Sequence, residues 1–115
     1  MNEPSARERP AGDGDVDDGV RILDDGGEPA RIGDGARLRS GTVIYPDVRI
    51  GENFTTGHDA VVREDTRIGD DVLVGTEAVI DGSTTVGDRT SLQTGVYVPA
   101  ETTIGADVFV GPRAV

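Results

Sequence analysis

Hydrophobic residues recur with a period of six along most of this chain. Starting at Ile32, the series reads Ile32, Leu38, Ile44, Ile50, Thr56, Val62, Ile68, Val74, Ile80, Val86, Leu92, Val98, Ile104 and Val110, with no slip in register. Thirteen of these fourteen are Ile, Leu or Val; Thr56 is the exception. Two residues before each stands a second, mostly smaller residue, such as Ala36, Thr42, Val48, Phe54, Ala60 and Thr66. On an α-helix every sixth position advances about 600°, which scatters the apolar set in three directions. Six is a multiple of the strand period of two, so positions i and i−2 face one side of a short strand. Each hexad therefore predicts a strand of three or four residues and a turn, with a small and a large side chain inward.

The residues after the aliphatics set the size of a coil. Ile32, Ile50, Ile68, Val86 and Ile104, spaced by eighteen, are all followed by Gly. Leu38, Thr56, Val74, Leu92 and Val110 are followed by Arg39, Gly57, Gly75, Gln93 and Gly111. Ile44, Val62, Ile80 and Val98 are followed by Tyr45, Arg63, Asp81 and Pro99. Three characters returning every eighteen residues describe a triangular prism, an all-β parallel β-helix with three hexads per coil. Residues 32–115 would fill between four and five coils. Residues 19–31 break the hexad and read as an N-terminal strand and turn capping the prism. Residues 1–18 are acidic, polar and expected to be disordered. The chain ends part-way through a coil, so a partner or further chain is expected to cover that end.

This pattern resembles the left-handed β-helix acyltransferases, the hexapeptide-repeat (isoleucine-patch) superfamily. Gly41-Thr42-Val43-Ile44-Tyr45, the stretch from Ile50 through Gly57-His58 to Arg63-Glu64, and the closing Ile104-Gly105 to Gly111-Pro112 are similar to its sugar N- and O-acetyltransferases. That resemblance implies acetyl-CoA as cosubstrate, an amino or hydroxyl group of a nucleotide-linked sugar as acceptor, and a homotrimer in the cytoplasm.

Charge narrows the partners. Eleven basic residues, all Arg, stand against twenty-two acidic ones, a net charge of −11. Such acidity disfavours nucleic acid, whose phosphates need a basic face. No segment has the length of a membrane span or signal peptide, so no membrane insertion is expected. Without Cys, and with a single His, no thiolate or three-histidine metal site is expected within one chain.

His58, two residues after Thr56, should stand on an outward corner, where a neutral imidazole can serve as general base. Glu64, one hexad on at the equivalent corner of the next face, could orient an imidazole or bind a sugar amine across a subunit interface; Asn53 could bind a sugar hydroxyl. The column of His58 on successive coils holds Ser40, Thr76, Thr94 and Pro112, small enough to leave a groove. Gly75, Thr76, Thr94 and Gly111 are the expected contacts for a pantetheine arm. Each also has a plain reading, as a turn residue or solvated charge. The competing function is a non-catalytic β-helix acting as scaffold or partner subunit.

Overall fold

The computed structural model describes residues 14–24 and 26–115. It is a left-handed parallel β-helix of about five coils without a helix among the described residues. The first coil holds β1 (Asp15–Val16), β2 (Arg21–Ile22) and β3 (Arg31–Ile32); the second β4 (Arg37–Leu38), β5 (Val43–Ile44) and β6 (Val48–Ile50). The third holds β7 (Thr55–Thr56), β8 (Val61–Val62) and β9 (Thr66–Ile68); the fourth β10 (Leu73–Val74), β11 (Val79–Ile80) and β12 (Thr85–Val86). The last strands are β13 (Ser91–Leu92), β14 (Tyr97–Val98), β15 (Thr103–Ile104) and β16 (Phe109–Val110). They stack into three flat sheets: face A (β1, β4, β7, β10, β13, β16), face B (β2, β5, β8, β11, β14) and face C (β3, β6, β9, β12, β15). From β3 onward each strand pairs in parallel with the one eighteen residues on, as Val74 with Leu92 and Ile50 with Ile68.

Both inward positions of each hexad are buried through the middle of the prism. Leu38, Ile44, Val62, Val74, Ile80 and Leu92 are fully buried, and so are Ala36, Phe54 and Ala60 from the second inward set. Threonines in that second set hide hydroxyls that would be costly without partners. They donate to corner carbonyls instead: Thr84 to Gly82 at 2.8 Å, Thr90 to Gly105 at 2.7 Å and Thr42 to Gly57 at 3.2 Å. Threonine is thus small enough for the corner and satisfies a backbone acceptor there.

The coil begins earlier than the hexad series suggests. Disorder was expected through residue 18, yet β1 pairs with β4 and β2 with β5, each offset by twenty-two residues. Val16 and Ile22 are one hexad apart, but four extra residues separate Ile22 from Ile32 and hide the continuity. The insertion bulges at the corner between faces B and C, where Asp47 Oδ1 accepts the Glu28 amide at 3.0 Å. The expectation for residues 1–13 lies outside the described residues.

Candidate functional site

Each corner is shaped by one backbone device. The third residue after every aliphatic from Ile32 to Val110 has positive φ, from Gly35, Gly41 and Asp47 through to Asp107 and Arg113. This left-handed conformation favours Gly, Asn and Asp. It turns the chain sharply and leaves the residue just before it, such as His58 before Asp59, pointing outward.

His58 is exposed on the A–B corner. Its Nδ1 lies 3.0 Å from Ser40 Oγ one coil below. Its backbone N–H donates to Thr76 Oγ1 at 3.2 Å one coil above, and its carbonyl accepts the Glu77 amide at 2.8 Å. Ser40 is itself held: its amide donates to Asp17 Oδ2 at 3.2 Å, and Asp17 and Asp15 each lie 3.5 Å from Arg39. If Nδ1–H donates to Ser40, Nε2 carries a lone pair facing solvent and can take a proton from an acceptor. Ser40 thereby joins the candidate residues. The eighteen-residue return had put it in the histidine's column, though not as its hydrogen-bond partner.

The strand beneath this corner is irregular. Elsewhere on face A the rung after the aliphatic closes on a carbonyl, as Gly57 N–H to Val74 O and Gly75 N–H to Leu92 O. At Thr56 the Arg39 N–H closes on the hydroxyl, 3.1 Å away. That hydroxyl also meets Thr42 Oγ1 at 2.8 Å inside the prism. The one polar residue of the aliphatic series is therefore a ladder element next to the histidine.

The other expected site residues divide by corner. Gly75, Thr76, Thr94 and Gly111 share the A–B corner with His58. A Cβ at Gly75 would meet Gln93 C and Thr94 N at 2.7 Å, so close stacking of the next coil requires this glycine. Gly111 has open space around it, and Thr94 is exposed. Asn53 is on the C–A corner with φ 59°, its amide donating to Asp71 Oδ1 at 3.0 Å. Glu64 is on the B–C corner, paired with Arg63 at 3.0 Å. Its own backbone amide, and then the Arg63 guanidinium, hold its carboxyl below the usual range. Within one chain, then, His58, Glu64 and Asn53 occupy three different corners.

Arg63 organises a second polar cluster on face B. It lies 3.8 Å from Asp81 and its guanidinium carbon is 4.7 Å from the Tyr45 ring centroid. Asp81 in turn accepts the Tyr97 hydroxyl at 2.8 Å, which raises that phenol's pKa. Tyr45, Arg63 and Asp81 are spaced by eighteen, so the repeat alone put them in one column. Their chemistry needed the structure to be recognised.

A family model described as bacterial transferase hexapeptide (six repeats) matches residues 47–82, and one described as hexapeptide repeat of succinyl-transferase matches residues 65–100. His58, Glu64, Gly75 and Thr76 fall in the first match and Thr94 in the second. These repeats support a place in the left-handed β-helix acyltransferase superfamily. No curated protein matches the chain.

Proposed function

We propose that the chain is an acyltransferase in which His58 is the general base. The acyl donor is a coenzyme A thioester, taken as acetyl-CoA, and the acceptor is an amino or hydroxyl group of a nucleotide-linked sugar. The observation that carries this reading is the exposed imidazole tied through Nδ1 to Ser40, in the segment that matches the bacterial transferase repeats. As the acceptor attacks the thioester carbonyl, Nε2 takes its proton. The carbon–sulfur bond breaks, the imidazolium returns that proton to the departing thiolate, and His58 is neutral again. Ser40 is a positioning residue that fixes the ring and its tautomer. Thr76, Thr94, Gly75 and Gly111 form the wall along which a pantetheine arm would run.

One corner is a shallow wall, and a deep site needs a second. A closed homotrimer supplies it, because cyclic symmetry gives each corner a neighbouring subunit. Asn53 and Glu64, distant from His58 within a chain, would then act on substrate only from that neighbour.

The test is acetyl transfer to a panel of amino sugars, with acetyl-CoA binding followed by calorimetry and mass by light scattering. His58→Ala should lower turnover by about 10²–10⁴ while cofactor affinity holds. Its melting midpoint should stay put, since surface changes usually fall within about 0.5 kcal/mol. Ser40→Ala should lower turnover less. Equal turnover in parent and H58A removes the histidine from the mechanism, and no turnover in the parent assigns the chain to the scaffold reading. A mass of one chain removes the trimer.

A further inference from the structure

Face C carries a strip of positive charge on a strongly acidic protein. Arg31 pairs in register with Arg49, and Arg49 with Arg67, so three exposed arginines stand on one outward column. At the usual strand separation of about 4.8 Å, the strip is roughly 10 Å long. Like charges directly opposite on neighbouring strands are unfavourable. The other exposed arginine of face C's flanking corner, Arg89, resolves its charge bidentately on Asp107 at 2.7 and 3.1 Å. Arg31, Arg49 and Arg67 make no side-chain hydrogen bond or ion pair among the described residues. They line a 280 Å³ cleft with Asp47 and Asp65 along its corner edge. Its lower end is closed by Glu28 and Pro29, on the four-residue insertion that is the one break in the hexad register. The insertion thus builds a wall where the ladder starts.

We propose that this cleft binds a ligand bearing two linked phosphoryl groups, held by the guanidinium forks of Arg31, Arg49 and Arg67. A guanidinium matches phosphate oxygens two at a time, and successive forks on a strand ladder suit successive phosphoryl groups. The cleft lies on the face opposite the A–B corner, so the proposal does not rest on the role given to His58.

The probe is inorganic pyrophosphate, titrated by calorimetry and ³¹P NMR against the full chain, with a nucleoside diphosphate and orthophosphate alongside. One pyrophosphate should bind per chain, more tightly than orthophosphate. Arg49→Gln should weaken it at least about tenfold, the loss of one charge-assisted contact. Arg37→Gln, an exposed arginine on face A, should leave it unchanged, and both variants should melt like the parent. A nucleoside diphosphate binding as well as pyrophosphate would mean that the phosphoryl pair alone is read; tighter binding would add a base contact, and either supports the site. The proposal is overturned by no saturable binding up to about 1 mM. Equal losses in R49Q and R37Q, which mean general charge attraction, also overturn it. So does an R49Q variant that dissociates an assembly while binding is unaffected, which makes the ladder a contact between copies.

Discussion

At the scale of single residues, the corners explain much of the acidic surface. Asp47, Asp59, Asp65, Asp71 and Asp107 all occupy left-handed positions, where Asp is tolerated for its backbone and not only for its charge. Solvation of the surface alone would not place aspartates at these positions. Glu77 sits in the same conformation, φ 59°, without the short side chain that suits it. Glu77→Gly should therefore stabilise the protein by up to about 1 kcal/mol, the left-handed penalty less the chain entropy glycine adds. Urea denaturation of parent and variant measures it; a lower midpoint in the variant would show that the corner strain is relieved elsewhere. The position was legible in outline, since Gly, Asn and Asp recur three residues after the aliphatics. The conformation was not, because Glu, Ser and Arg also take it.

At the scale of strands, Thr56 shows how one hydroxyl maintains a rung. Its Oγ1 accepts from the Arg39 amide and pairs with Thr42, all next to Ser40 and His58. Thr56→Val should cost about 1–3 kcal/mol, since it leaves a partly buried amide and a buried hydroxyl short of a partner. The double variant with Thr42→Val should cost less than the two single variants added together, because the hydrogen bond they share is lost only once. A double variant less stable than the sum of the single ones would contradict the pairing. The hexad series marked Thr56 as exceptional, and only the hydrogen bonds say why. For Glu64 the sequence left open an orienting partner for the imidazole; a single hexad step moves a residue to the next corner of the triangle. Glu64 pairs there with Arg63, which is adjacent in sequence and shares its corner.

For the molecule as a whole, stability is the sum of coils that contact mainly their neighbours. Ile68 lies in mid-prism on β9, between β6 and β12, and is 4% exposed. Ile68→Asp buries an unpaired carboxylate, which costs several kcal/mol after relaxation, and the adjoining coils should melt with it. Circular dichroism through a thermal ramp follows this. An unchanged midpoint would mean that the side chain does not point inward.

The sequence by itself determined the coil, its three faces, the inward residues and the column that carries His58. A strict period is a geometric instruction: with eighteen residues per turn, every position has one neighbour above and one below, and alternation decides which side it faces. The sequence also isolated the histidine and the polar column around it. Only the tertiary structure showed that Asp15 already lies in the coil, because an insertion of four residues cancels the periodic signal without interrupting the stacking. It alone gave His58 its partner in Ser40, tied Glu64 to Arg63 and Asn53 to Asp71, and left three arginines of face C in register without an ion pair among the described residues. These outcomes depend on which side chain reaches which atom across a coil. A period fixes the neighbours of a residue; the bonds it makes with them depend on rotamer, length and the competition of other partners nearby.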